Sequence, residues 1–255
     1  MNLLFVLGLL LAVVTAARST WSPCGVSMLS VITPLQEQGR GNRFRATALW
    51  FLVGATVGGA MLGGLMSVLA VVWRRIGADL EVALVITTFG ALVAVISDGK
   101  LFGFQLPGHD RQVNERWLDQ YRSWVYGGGF GWQIGIGLAT YIMTAGLYLL
   151  IIVGALGAST SGALILGTVF GLVRGLAVFA AREVTSLDAL NDLHRRFEQW
   201  RQPIRKITIG VIALVGVIAG MAAGSPPALW GIVVVMLLAI AALRGERETS
   251  YVLAR

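Results

Sequence analysis

The sequence predicts an all-α, polytopic membrane protein. Of its 255 residues, 56% are hydrophobic even before its 33 glycines are counted, whereas soluble domains reach about 45–50% with glycine included. Charged residues make up 13%, and the mean hydropathy is +0.76. The apolar residues are grouped into runs that approach the roughly 20 helical residues needed to cross a bilayer. A soluble enzyme and a disordered chain are therefore both excluded.

Seven apolar segments are predicted to span the membrane, and the first and fourth are interrupted. The first is broken by Ser22-Pro23-Cys24-Gly25, and the fourth by a glycine-rich stretch at 127–137. Lipid does not tolerate backbone polar groups without partners, so we expect both breaks to lie inside the protein or beside a cavity. The predicted segments are 2–17 continuing into 26–35, then 46–73, 80–96, 125–156, 161–181, 207–223 and 228–243.

The order of these segments suggests two inverted three-helix repeats with broken first helices, plus one extra C-terminal span. In each set of three, a helix with closely spaced glycines follows the interrupted one, which favours close helix packing. An odd number of spans per repeat gives the two copies opposite orientations, as in many transporters. The glycines are Gly54, Gly58, Gly59 and Gly63 in the first set, and Gly167, Gly171 and Gly175 in the second. Chance similarity between glycine-rich spans is the alternative.

This repeat predicts the domain organisation. The first three-span repeat covers 1–98, and a cytoplasmic linker with an interfacial helix covers 99–124. The second repeat covers 125–224, and an extra span with a cytoplasmic tail covers 225–255.

Two connecting segments, 110–125 and 184–202, have apolar residues at every third or fourth position with charged residues between them. This spacing is typical of a helix with one apolar face. We predict that both are interfacial helices that lie on the membrane and tie the spans together. Docking of a partner protein is the alternative role.

The distribution of basic residues predicts the orientation. With the N-terminus outside, the basic segments 36–45 and 181–206 and the C-terminal tail lie in the cytoplasm, as the positive-inside rule requires, and only Arg74-Arg75 departs from it. The apolar stretch at 3–14 resembles a signal peptide but lacks a basic n-region, so we expect a retained first span. We therefore predict a multi-pass protein of the bacterial cell membrane with a cytoplasmic C-terminus.

The net charge of +7 is explained by these basic loops. No basic run is interleaved with aromatic residues that could stack on bases, so no nucleic-acid partner is expected and the lipid bilayer is the expected surroundings. A single cysteine excludes an internal disulfide and a site with several thiolate ligands. His109 and His194 lie in separate polar segments, and we expect no metal or other cofactor.

Cys24 is the first candidate for chemistry. It follows Pro23, which cannot donate a backbone hydrogen bond and so interrupts a helix. A thiol where a helix restarts lies at the positive end of the helix dipole, which favours the nucleophilic thiolate. The alternative is a buried, unreactive cysteine that serves as a small apolar residue.

Short motifs around this cysteine resemble the CcdA/DsbD transmembrane family. Residues 18–34 contain Ser-Pro-Cys followed by a further proline, as in the family's first helix, and residues 43–54 are similar to its second helix. Gly-Phe-Gly-Trp at 129–132 is similar to the start of its fourth helix, and residues 174–179 resemble its fifth. The resemblance covers roughly 1–224 but depends on these few motifs.

The resemblance implies six spans in two inverted triplets that carry reducing equivalents from a thioredoxin-like donor to an extracytoplasmic acceptor, for example in cytochrome c biogenesis. That relay needs two cysteines that exchange disulfides. Here Gln133-Ile134-Gly135 stands where the family has Thr-Pro-Cys, so the chain cannot relay electrons alone. Cys24 would have to exchange with a thioredoxin-like or maturation partner protein.

A few polar residues fall at membrane depth. Gln133, next to Trp132 in the second predicted break, either lines a cavity or satisfies loose backbone carbonyls. Arg174 lies close enough to the cytoplasmic end of its span to reach the interface, although an arginine within a span is a functional candidate by default. Thr140 and Thr144 are four residues apart and would share one face of the fourth helix, where we expect interhelical hydrogen bonds.

Three functions remain open on these observations. The first is a redox-accessory membrane protein in which Cys24, beside Pro23, exchanges with a partner. The second is a transporter of a small solute or ion that uses Gln133, Trp132 and Arg174 along its path. The third is a structural subunit of a larger membrane complex.

Overall fold

The computed structural model describes residues 2–77, 79–107, 117–157 and 159–252, and within these ranges every regular element is helical. Two short 3-10 turns, Leu101–Gly103 and Ala177–Ala181, accompany the α-helices. The helices are α1 (Leu3–Ser19), α2 (Pro23–Val31), α3 (Pro34–Gly39), α4 (Phe44–Ile76), α5 (Leu80–Gly99), α6 (Trp117–Gln120), α7 (Ser123–Ile136), α8 (Gly146–Gly157), α9 (Thr160–Leu176), α10 (Leu187–Ala223) and α11 (Pro226–Val252).

The predicted class, an all-α polytopic membrane protein, is confirmed. In the described part of the chain, α4, α5, α9, α10 and α11 are each long and apolar enough to cross a membrane. The pair α1 and α2, bent by 65° at the break, is together long and apolar enough for a sixth span. The lipid-facing sides of these helices carry exposed apolar side chains, such as Val68 of α4 and Trp230 of α11.

The fourth predicted span, 125–156, is wrong as a single interrupted helix. Its glycine-rich stretch is helical and forms most of α7, which ends beside Gly58, about half-way along α4. The break falls later, at 137–145, and starts with Gly137 at a φ of 72°. This non-helical segment leads back towards the end of α5, where the 12-residue α8 begins.

The glycine-rich stretch stays helical because its glycines are spaced to pack against α4. A Cβ atom on Gly127, Gly131 or Gly135 would lie within 2.9 Å of a backbone oxygen of α4. Glycines four residues apart share one face of a helix. They therefore form the packing face of α7 and do not interrupt it.

The segment 184–202, which was predicted to be a separate interfacial helix, is largely part of a longer helix in the structure. Its residues from Leu187 onward are the start of α10, which continues as one helix to Ala223 and includes Pro203. Proline removes one helical hydrogen bond, and here the bond would involve the carbonyl of Gln199, an exposed residue that water or headgroups can solvate. Of the other predicted interfacial helix, 110–116 lies outside the described residues, and α6 and the start of α7 cover part of the rest.

The helices pack in two groups joined by α1 and α8. In one group α4 contacts α7 and α9, and in the other α5, α10 and α11 contact each other. The α4–α9 contact is made by backbone atoms, since a Cβ on Gly59 would lie 2.3 Å from the carbonyl oxygen of Gly167. Such close approach is how membrane helices gain packing energy without a hydrophobic driving force. The division of the chain at residues 98 and 224 stays a prediction.

A pair of glycines in α4 tests this packing. Gly59→Ala places a methyl group against the α9 backbone, and we expect a loss of about 1–3 kcal/mol in the free energy of unfolding, as for other overpacked sites. A Cβ on Gly64 would meet nothing within 4 Å among the described residues outside its own helix. Gly64→Ala is therefore expected to be neutral or slightly stabilising, because alanine favours helix. Thermal unfolding in detergent measures both, and equal midpoints for the two variants would contradict the close contact.

Candidate functional site

The carboxylate of Asp98, in the last turn of α5, joins α5 to the start of α8. It accepts a hydrogen bond from the Thr144 hydroxyl and a 2.7 Å bond from the Ala145 N–H. Ala145 directly precedes α8, and the first N–H groups of a helix lack partners within the helix. An anion at this position is also favoured by the helix dipole. Asp98 therefore caps α8 from a helix distant in sequence.

Two guanidinium groups lie close to this carboxylate. Arg205 of α10 donates from Nε and Nη2 to the main-chain oxygen of Asp98, at 3.1 and 2.9 Å. Arg18, at the end of α1, donates to the main-chain oxygen of Arg201 at 3.4 Å. Both arginines are near enough to interact electrostatically with Asp98. The cluster thus connects α1, α5, α8 and α10 at one end of the bundle.

A cavity of about 460 Å³ adjoins the cluster. Four basic side chains line it, those of Arg18, Lys100, Arg201 and Arg205, against the acidic Asp98 and Glu198. Lys100, Arg201 and Glu198 are exposed, so the cavity reaches the surface of the protein. Because basic groups outnumber acidic ones, its potential favours anions.

Arg174 is buried and does not reach the interface. It donates 2.6 Å and 3.3 Å hydrogen bonds to the main-chain oxygens of Ile134 and Ser19, near the ends of α7 and α1. Its guanidinium carbon lies 5.7 Å from the centre of the Phe170 ring, a cation–π distance. Of the two alternatives left open by the sequence, extension to the membrane surface is not what the structure shows, and this side chain instead joins α9 to two helix ends.

Cys24 lies where the sequence indicated, at the restart of a broken helix. Pro23 begins α2, and the Ser22 hydroxyl caps it by accepting a bond from the Gly25 N–H. The Cys24 side chain is buried, and it lies close enough to Arg174 to interact electrostatically. The structure thus brings together two of the predicted site residues.

Gln133 and Trp132 do not lie in a break. Both belong to α7, and the residues of α7 that line the small void beside Cys24 are Phe130 and Ile134. Trp132 is exposed and donates from Nε1 to the Met61 sulfur at 2.9 Å. The expected placement of Gln133 and Trp132 in a break is therefore wrong, because the glycine-rich stretch is helical. The functional roles of these residues stay predictions.

Thr140 and Thr144 are not on one helical face. Both lie in the non-helical segment at 137–145, where Thr144 binds Asp98. The buried hydroxyl of Thr140 has no hydrogen-bond partner among the described residues. Their expected interhelical role is fulfilled only by Thr144.

A second buried carboxylate, Glu37 of α3, was not singled out by the sequence. It accepts hydrogen bonds from the Thr47 hydroxyl at 2.5 Å and from the Tyr126 hydroxyl at 2.7 Å, and it pairs with Arg40 at 3.2 Å. These bonds hold α3 against α4 and α7. Among the described residues, no group of three His, Cys, Asp or Glu side chains could hold a metal ion.

Comparison with proteins of known name finds several relatives of this chain. A protein of Paracoccus versutus is 34% identical over 170 residues, covering 63% of this chain and 59% of that protein. One of Paracoccus denitrificans is 30% identical over 173 residues, covering 66% and 60%. One of Methylorubrum extorquens is 28% identical over 209 residues, covering 78% and 67%.

The chain is similar to proteins named methylamine utilization protein MauF. It spans about three fifths of the length of the two Paracoccus relatives. No family model matches the chain, and no solved structure matches it.

These relatives correct the resemblance to the CcdA/DsbD family. The matching proteins carry the MauF name and align with 63–78% of this chain, and none of those found is named as a thiol–disulfide relay or for cytochrome c biogenesis. The redox-accessory function assigned to Cys24 is therefore overturned, and the names do not support the transporter alternative either. Ser-Pro-Cys and Gly-Phe-Gly-Trp are too short to determine the family alone.

Exchange at the Ala145 amide tests the role of Asp98. In Asp98→Asn a neutral acceptor replaces a charged one, which loses about 1–1.5 kcal/mol of hydrogen-bond energy and raises amide exchange about tenfold. Asp192→Asn is the control because Asp192 is exposed and pairs with Arg195, which is three residues away on the same helix. Hydrogen–deuterium exchange of residues 137–146 measures the effect, and equal exchange in the two variants would contradict it.

Proposed function

We propose that this chain is a membrane protein that serves methylamine utilisation, in the group of proteins that carry the MauF name. The observation that carries the proposal is the similarity to five such proteins at 27–34% identity, which extends over 63–78% of this chain. Similarity of this extent concerns most of the chain and not a single motif.

The charge of the cavity supports a role in which the chain assists other proteins and does not itself bind methylamine. Methylamine is a cation at neutral pH, and the cavity beside Asp98 has more basic than acidic side chains. The Asp98 carboxylate is also occupied by hydrogen bonds from Thr144 and Ala145. We infer that the chain acts with a partner protein of the pathway and does not bind the amine in this cavity.

The orientation belongs to the same proposal. We infer that the end of the bundle with the Asp98 cluster faces the cytoplasm of a bacterium and that the N-terminus lies outside. In support, the basic segment 181–206 lies at this end next to the start of the other basic segment, since the Leu35 N–H donates to the Val184 oxygen at 3.1 Å and the Trp21 indole donates to the Phe197 oxygen at 2.7 Å. The positive-inside rule favours this end for the cytoplasm.

We also propose the inverted repeat, with the division at residues 98 and 224. Its support is the pairing of corresponding helices. The second helices of the two predicted repeats, α4 and α9, contact each other, and so do the third helices, α5 and α10.

Growth on methylamine tests the function. We expect the chain to restore growth on methylamine to a Paracoccus denitrificans strain that lacks its MauF protein, with growth on succinate as the reference. Asp192→Asn should restore growth equally, whereas Asp98→Asn should restore it poorly because α8 loses its charged cap. Absence of restoration, with the protein present in the membrane at normal amounts, would contradict the proposal.

Labelling of single cysteines tests the orientation. In a Cys24→Ser background, Glu81→Cys and Glu183→Cys place thiols at exposed positions at opposite ends of the bundle. A maleimide that cannot cross membranes is expected to label Glu81→Cys in intact spheroplasts and Glu183→Cys only after lysis. The reverse pattern would show that the N-terminus is cytoplasmic.

A further inference from the structure

An apolar groove runs along the outside of the bundle from the charged cavity. It lies between α5 and α8, has a volume of about 430 Å³, and is lined by side chains such as Phe89, Val93 and Ile152. Leu106, Ala145 and Tyr148 line both the groove and the charged cavity. The two are therefore parts of one continuous depression, polar at the end of the bundle and apolar along the helices.

The groove continues to the opposite end of the bundle. A further apolar depression of about 320 Å³ shares Ile86 and Ile152 with it and reaches Trp73 and Ile76 at the end of α4. The helix α8, which borders the groove, has 12 residues. It measures about 18 Å at 1.5 Å per residue, which is more than half of the roughly 30 Å hydrocarbon core of a bilayer. The groove is thus long enough for one acyl chain.

The charged end has the chemistry of an anion site. Glu198 pairs with Arg201 at 3.2 Å, and Asp98 accepts hydrogen bonds from Thr144 and Ala145. Four basic side chains still face only two acidic ones around the cavity, so its lining carries an excess of positive charge, and Arg18, Lys100 and Arg205 are the basic groups nearest Asp98 and the end of α5. Guanidinium groups match the oxygens of a phosphate, and basic pockets between membrane helices are typical sites for anionic headgroups.

We propose that this depression binds one anionic phospholipid, with the phosphate near Arg18, Lys100 and Arg205 and an acyl chain in the groove between α5 and α8. The support for this site is the continuity of a basic cavity at one end of the bundle with an apolar groove along the helices. The lipid would bind whether or not the chain serves methylamine utilisation. The bound lipid would connect α1, α5, α8 and α10 around Asp98.

The test compares lipids on purified, delipidated protein in detergent. Native mass spectrometry is expected to detect one retained phosphatidylglycerol, bound at least about tenfold more tightly than phosphatidylcholine. Phosphatidylglycerol should also raise the thermal unfolding midpoint. Equal retention of the two lipids would overturn the proposal.

Three variants locate the site. Arg18→Gln removes a cavity charge and is expected to lower phosphatidylglycerol retention about tenfold, whereas Arg182→Gln, on an exposed arginine, should not. Val93→Trp fills the groove from a lipid-exposed position, so it is expected to lower retention without affecting folding. Unchanged retention in both Arg18→Gln and Val93→Trp would place the lipid elsewhere and overturn the proposal.

Inorganic phosphate separates a lipid from a free anion. Because the groove is proposed to hold an acyl chain, phosphate alone should stabilise the protein much less than phosphatidylglycerol does. Equal stabilisation by millimolar phosphate, insensitive to Val93→Trp, would show that the site takes a free anion and would overturn the lipid assignment.

Discussion

The contact of backbone against backbone along α4 is the constraint on which the rest of the structure depends. Two other helices approach it so closely that a single methyl group would not fit, as at Gly59 against α9 and at Gly54 against α7. Lipid offers no hydrophobic drive for helix association, so dispersion between such close surfaces holds the helices together. This packing also fixes where α7 ends and where the chain returns towards Asp98.

The long spans could be predicted because their signal is local. An apolar run specifies a membrane helix by itself, so α4, α5 and α9 begin and end close to the predicted positions. The glycines of α7 were misinterpreted because the same residue either interrupts a helix or allows a neighbour to approach it. Only the presence of α4 beside Gly131 decides between these outcomes.

The Asp98 cluster was not predicted because it is formed by residues that are distant from each other in sequence. A single acidic residue at the end of an apolar run has the sequence signature of a loop, and Arg205 was counted only as one charge of a basic segment. The usable signal was a carboxylate within the last turn of a span, which is costly unless paired. Its partners come from distant parts of the chain, 46 residues away for Thr144 and 107 for Arg205. Cys24 and Arg174 were identified individually, but their proximity follows only from the fold.

These separations have a consequence for the order of assembly. Chains emerge from the ribosome N-terminal part first, so Asp98 is made before either Thr144 or Arg205 exists. A carboxylate withdrawn from water without partners costs several kcal/mol, and it therefore stays hydrated while the second half of the chain is synthesised. The end of the bundle that holds the cavity is consequently the last to close, and α10 completes it.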